Sequence, residues 1–131
     1  MNEVTDLLAL AKRVAINAGR LIMSDLDGKR DYEFSHHIRR EIKAHADGFL
    51  NKEILDQLRP AGLSILSEES GMLPGDPDSA LRFIVDPLDG TVNFVRDLGS
   101  SAISIALWRN QTPVFGVLCR LPDLALTWGG A

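Results

Sequence analysis

The period of the hydrophobic pattern changes near Gly62, and this change constrains the fold of the chain more than any other feature. Before Gly62 the apolar residues recur at helical spacing, with one wide apolar face over residues 4–22. After Gly62 they form short runs that turn-forming residues separate. Helices followed by strands predict an α+β domain, in which the helices pack on one face of a sheet.

Two helices are predicted before this point. The first covers residues 4–22, and the second follows apolar positions through residues 42–58 until Pro60 ends it. Asp47 and the glycine after it interrupt the second pattern. A start of the second helix at Asp47, used as an N-cap, is therefore left open as an alternative.

Five strands are predicted after Gly62, and their connections indicate how the last three pair. "RNQTP" and "RLPDL" are short enough to be hairpin loops, so the last three strands should run antiparallel. The strand segments read LSIL, LRFIV, AISIALW, VFGVLC and LALTW.

Composition and charge narrow the function classes. The chain has 131 residues, which suits one domain, and its net charge of −4 gives no electrostatic case for nucleic acid or an anionic membrane. No apolar run reaches membrane-spanning length, and the N-terminus lacks a secretory signal. The single cysteine, Cys119, cannot form an internal disulfide and is interpreted as a core residue. We therefore expect a cytoplasmic protein without a nucleic-acid or membrane partner.

The segment "FIVDPLDGTVNF" places two aspartates three residues apart behind an apolar strand. Pro87 is predicted to end this strand at Asp86, and Gly90 allows a bend. A turn there would bring the Asp86 and Asp89 carboxylates and the Leu88 carbonyl together, and a divalent cation would relieve the repulsion. Oxygen ligands favour Mg²⁺ over Zn²⁺. The alternative is a turn in which one aspartate caps the next segment.

A further source of carboxylates is the segment "ILSEES". On a strand, Glu68 and Glu69 would face opposite sides, so only one of them should join the aspartates. The alternative is a solvated strand end with no ligand role.

The blocks "SEES", "FIVDPLDGTVNF" and "AISIAL", in this order and spacing, resemble the inositol monophosphatase family of Mg²⁺-dependent, lithium-sensitive phosphatases. The resemblance implies the N-terminal half of a layered α/β sugar-phosphatase fold. It also implies hydrolysis of a phosphomonoester by in-line attack of metal-activated water. The substrate would be an inositol phosphate or a related sugar or alcohol phosphate, and Mn²⁺ would be a substitute for Mg²⁺.

The resemblance also assigns roles to individual residues. Thr91 would activate the attacking water with help from Asp47, and Glu68 would take part in catalysis as an acidic ligand. Asp89, Gly90 and Thr91 would contact the substrate. The metal ligands would be Glu68, Asp86, the Leu88 carbonyl and Asp89.

Two departures from the family pattern shape the remaining expectations. The segment before Asp47, where the family carries a lysine and a "VT" dipeptide, reads "EFSHHIRREIKAHAD" and lacks that dipeptide. We interpret it as a charged helix surface, with contact to an anionic substrate or a partner as the alternative. Its histidines and cations are His36, His37, Arg39, Arg40 and Lys43.

The second departure is that the "WD…AAG" block of the family, which carries another metal ligand, has no match here. Residues 1–131 are therefore predicted to be the N-terminal metal-binding domain alone, truncated and poorly active in isolation. A homodimer or a separate C-terminal half would complete the site. The alternative function is a non-catalytic interaction module of the same fold that binds metal or phosphate.

Overall fold

Two helices cover one face of a six-stranded sheet within the residues that the structure describes. The computed structural model describes the backbone of residues 3–25, 36–89 and 101–130, and the side chains of residues 3–25, 44–88 and 101–130. The predicted α+β class is confirmed. The elements are α1 (Glu3–Asp25), α2 (His36–Leu58), β1 (Ser64–Ser67), β2 (Gly71–Leu73), β3 (Leu81–Asp89), β4 (Ser101–Arg109), β5 (Thr112–Leu121) and β6 (Leu126–Gly130).

Helix α1 confirms the predicted first helix and extends it slightly at both ends. Glu3 and Asp6 lie in its first turn, where acidic side chains stabilise the positive end of the helix dipole. Its buried residues recur every three or four positions and include several alanines, whose small side chains let the helix lie close to the sheet. They are Leu7, Ala11, Val14, Ala15, Ala18, Gly19 and Ile22.

Helix α2 begins at His36, so the alternative start at Asp47 is wrong. Sequence reasoning missed the start because residues 36–41 are mostly polar and carry no apolar period. The helix ends as predicted before Pro60, in a short 3-10 turn whose cap, Gly62, has the left-handed φ of 78° that glycine tolerates best. Neither described helix is both long and apolar enough to cross a membrane.

The described strands form one sheet in the order β2-β1-β3-β4-β5-β6. The five predicted strands are confirmed as β1 and β3–β6, and the last three pair antiparallel as expected. The strand that was missed, β2, has only three residues and is mostly exposed, so it carries no alternating pattern. Strand β1 runs parallel to β3, and the other described pairs are antiparallel.

One face of the sheet forms the core with the helices. Alternate strand residues such as Ile65, Phe83 and Ile105 are buried there, each contributing about 1.5–3 kcal/mol by leaving water. Cys119 is fully buried on this face, which confirms its interpretation as a core residue, and burial raises the pKa of its thiol. On the other face, Ile84 and its neighbours are only half-buried.

The predicted end of the strand at Asp86 is wrong, because β3 continues to Asp89. Asp86 pairs with Ser104, whereas Asp89 pairs with Ala102, so β3 holds one residue more than β4 across this step. Such a β-bulge accommodates Pro87, which has no N–H to donate to the ladder. The aspartates are therefore separated by a bulge within a strand and not by a turn.

Two glycines test the packing of this fold. A Cβ on Gly75 would lie 2.2 Å from the Leu63 carbonyl carbon, whereas a Cβ on Gly48 of α2 would meet nothing within 4 Å. We expect Gly75→Ala to lower the free energy of unfolding by about 1–3 kcal/mol. Gly48→Ala should raise it by about 0.5–1 kcal/mol, since alanine favours a helix. Urea unfolding of both variants measures these free energies. A Gly75→Ala protein as stable as the wild type would contradict the close approach of Gly75 to the Leu63 main chain.

Candidate metal centre

The parallel pairing of β1 with β3 brings the carboxyl ends of both strands to the same edge of the sheet. Ser67, the last residue of β1, pairs with Val85. The Glu68 N–H then donates a hydrogen bond to the Val85 carbonyl oxygen at 3.1 Å. The main chain of Glu68 is thereby fixed next to that of Asp86.

Glu68 and Asp86 line one concavity of about 480 Å³ on the face of the sheet away from the helices. Asp86 follows Ile84 by two residues, so alternation along β3 places both on this face. Ser104 lies directly opposite Asp86 on β4 and adds a hydroxyl to the lining. The complete lining is Leu66, Ser67, Glu68, Ile84, Val85, Asp86, Ser104 and Ala106.

The donors in this concavity fit a hard divalent cation. Two carboxylates and the Ser104 hydroxyl supply oxygen atoms, and no histidine or cysteine belongs to the described lining. Oxygen donors are those that Mg²⁺ and Mn²⁺ prefer, whereas Zn²⁺ prefers nitrogen and sulfur. Among the described residues, no three acidic, histidine or cysteine side chains converge as a metal site. The third predicted carboxylate, Asp89, lies outside the described side chains.

The other predicted ligands follow Asp86 along the chain. Leu88 is 5% exposed and lies inside the bulge. Asp89 ends β3, so its backbone stays on the same strand as Asp86. Gly90 and Thr91 lie outside the described residues, and their predicted contacts with substrate and water stay predictions.

Asp47 lies on α2, one helical turn before Asn51, and is half-buried. Asn51 bonds to Ser67 at the end of β1, so Asp47 belongs to the same end of the sheet as the two carboxylates. It is not among the described residues that line the concavity. The predicted role of Asp47 in orienting water stays a prediction.

The prediction that Glu68 and Glu69 face opposite sides of a strand is wrong. Strand β1 ends at Ser67, and residues 68–70 form a turn that leads into β2, so strand alternation does not apply to them. Gly71, with a φ of 75°, allows the chain to reverse this tightly. Glu68 nevertheless lines the concavity and Glu69 does not.

A hydrogen-bond network under this turn was not predicted. It joins Asn51 of α2 to Ser67 and Ser70, on either side of the two glutamates. The sequence signal for it is that Asn51 follows Asp47 by four residues and so shares its helix face.

The histidine, arginine and lysine side chains of residues 36–43, at the start of α2, lie outside the side chains that the structure describes. Their interpretation as a charged helix surface stays a prediction.

Comparison with known proteins identifies the family. The model of the inositol monophosphatase family matches residues 3–129. An inositol-1-monophosphatase of Mesorhizobium japonicum is 36% identical over 114 residues, which are 86% of this chain and 42% of that protein. The Nus factor SuhB of Escherichia coli K12 is 34% identical over 103 residues, which are 77% of this chain and 38% of that protein.

Solved structures agree on the fold. The crystal structure of the extragenic suppressor protein suhB from Bartonella henselae has a TM-score of 0.79 and 31% identity. The match covers 95% of this chain and 48% of the Bartonella chain. The chain thus spans less than half the length of the relatives it matches.

The two glutamates provide a matched test of the site. Glu68→Gln should weaken Mn²⁺ binding because it removes a carboxylate from the concavity, whereas Glu69→Gln should leave it nearly unchanged. Titration of free Mn²⁺ by electron paramagnetic resonance gives both affinities. Equal losses in the two variants would mean that the negative charge of the turn attracts Mn²⁺ without a specific ligand.

Proposed function

The chain belongs to the inositol monophosphatase family, and we propose that it forms the metal-binding part of a Mg²⁺-dependent phosphomonoesterase. The observation that carries the proposal is the pair Glu68 and Asp86 in one concavity at the carboxyl edge of two parallel strands. Family membership supports phosphatase chemistry, and the oxygen donors support a hard cation.

Glu68 and Asp86 are the residues that would hold the cation, with the Leu88 carbonyl and Asp89 as further ligands. The backbones of Asp86 and Asp89 are on one strand, with a bulge between them. When bound, Mg²⁺ or Mn²⁺ supplies positive charge that activates water and stabilises the oxygen leaving phosphorus. The protein contributes the fixed positions of the carboxylates.

The water and the phosphate would be held by residues next to the carboxylates. In this proposal Thr91 would help to activate the attacking water, and Asp47 would orient it. The N–H groups of Gly90 and Thr91 would contact the phosphate, and Asp89 would be a further substrate contact. The support for Asp47 is its place on α2, one turn before the residue that bonds to the end of β1. Direct attack by water needs no serine, cysteine or histidine nucleophile.

The proposed substrate is a small phosphorylated alcohol or sugar such as an inositol phosphate. The named activity of the Mesorhizobium japonicum relative supports this class. That relative is more than twice as long as the matched region, so we expect residues beyond the match to supply further substrate contacts.

A second candidate function is an interaction module that keeps the fold without turnover. The observation in its favour is that the Escherichia coli relative is named a Nus factor. The two functions differ in one measurable respect, since both allow the carboxylates to bind Mn²⁺ but only the first couples binding to phosphate release.

Phosphate release by the 131-residue chain from inositol 1-phosphate tests the proposal. We expect the chain alone to release phosphate at a rate barely above background with saturating Mg²⁺. Adding the separately expressed remainder of the Mesorhizobium japonicum relative should raise the rate above that of either piece. Asp86→Asn should reduce this gain by about 10²–10³-fold, because it removes a preorganised charge from the site. The matched control is Glu69→Gln, which should keep the gain.

The contradicting results are specific. A gain that persists in Asp86→Asn would show that this carboxylate holds no catalytic cation. Mn²⁺ binding without any gain under any condition would favour the interaction module. Strong release by the 131-residue chain alone would contradict the expectation that other groups are needed.

A further inference from the structure

The turn that carries Glu68 is tied to helix α2 by one side-chain amide. The Ser67 hydroxyl donates a hydrogen bond to Asn51 Oδ1 at 2.6 Å, and Asn51 Nδ2 donates to Ser70 Oγ. The Ser67 oxygen also accepts the Glu69 N–H at 3.2 Å. Asn51 therefore bonds to the residues on both sides of the two glutamates.

Burial makes the bond from Asn51 to Ser67 costly to lose. Ser67 is 1% exposed and is one of two buried polar residues in the described part of the chain. Without Asn51 the Ser67 oxygen would still accept the Glu69 N–H, but the buried hydroxyl hydrogen would have no acceptor, which is unfavourable because it has given up its bonds to water. Removing the Asn51 amide would therefore force Ser67, and with it the start of the turn, to rearrange.

The same turn is held from its other side by the sheet. The Glu68 N–H bonds to the Val85 carbonyl, one residue before Asp86. The turn is thus fixed to β3 by the main chain of Glu68 and to α2 by Asn51. Between these two attachments, the Glu68 side chain lies in the concavity with Asp86.

We propose that Asn51 is a positioning residue of the metal site, which sets the distance from Glu68 to Asp86 through its bonds to Ser67 and Ser70. This inference rests on the proposed function, because it assumes that Glu68 is a ligand. Asn51 touches neither metal nor substrate and acts only through the turn. Residues that orient metal ligands in this way typically change metal affinity by about 10–100-fold when they are removed.

A conservative variant distinguishes positioning from simple stabilisation. The carboxylate of Asn51→Asp accepts a hydrogen bond from Ser67 as the amide does. The Ser70 hydroxyl can rotate to donate instead of accepting, so both bonds are kept. Asn51→Ala loses both. A matched control is Gln57→Ala. It removes a side-chain amide of α2 that accepts a hydrogen bond from Asn17 Nδ2 at 3.4 Å and does not contact the turn.

The experiment measures Mn²⁺ affinity and, without metal, hydrogen exchange of the Glu69 amide. We expect Asn51→Ala to bind Mn²⁺ about 10–100-fold more weakly and to exchange the Glu69 amide faster. Asn51→Asp should return the amide exchange to the wild-type range and Mn²⁺ affinity to at least the wild-type value, because its added negative charge also attracts the cation. Gln57→Ala should lower the melting temperature without changing Mn²⁺ affinity. If Asn51→Ala does not fold, Ser70→Ala replaces it, since Ser70 is exposed and its loss removes one of the two bonds.

The outcomes separate this inference from the function on which it rests. Wild-type affinity in Asn51→Ala, or in Ser70→Ala where that variant is needed, would overturn the positioning role and leave the metal site intact. Failure of Asn51→Asp to restore affinity would also overturn it. Absence of Mn²⁺ binding by the wild type itself would overturn the proposed function, and the inference with it.

Discussion

The candidate site depends on the parallel direction of two neighbouring strands. Because β1 and β3 run the same way and Ser67 pairs with Val85, Glu68 and Asp86 follow the last pair together. In an antiparallel pair, the residues after the two strands would lie at opposite edges of the sheet. Parallel strands require a crossover, which here includes the short strand β2 and brings the chain back to start β3.

The core fixes the face on which the Asp86 carboxylate projects. Phe83 and Val85 are buried against the helices, so the residues between and after them, Ile84 and Asp86, must lie on the other face. A slip of one residue would move Asp86 into the apolar core and expose Phe83 to water. The large free energy of burying these side chains therefore also specifies where an acidic side chain can lie.

Much of this fold could be predicted from the sequence, because its two kinds of apolar pattern are distinct. Helix α1 and the five longer strands follow from periodicity, and the motifs around Glu68 and Asp86 indicate these two residues as ligands. The parallel pair could not be predicted, since it depends on β2, which is too short for a pattern. The β3 bulge escaped prediction because Pro87 normally ends a strand. The network at Asn51 escaped prediction because its spacing from Asp47 indicates a shared helix face but not the residues to which Asn51 bonds.

The most direct test of the proposed metal site between Glu68 and Asp86 is to locate a cation bound there. Mn²⁺ scatters anomalously, so crystals of this chain grown with Mn²⁺ reveal the ion in an anomalous difference map. The structure predicts a peak in the concavity within coordination distance of carboxylate oxygens of both Glu68 and Asp86, and no such peak in crystals of Asp86→Asn. A wild-type peak that contacts neither carboxylate, or an empty concavity at saturating Mn²⁺, would contradict the assignment of this edge of the sheet as a metal centre.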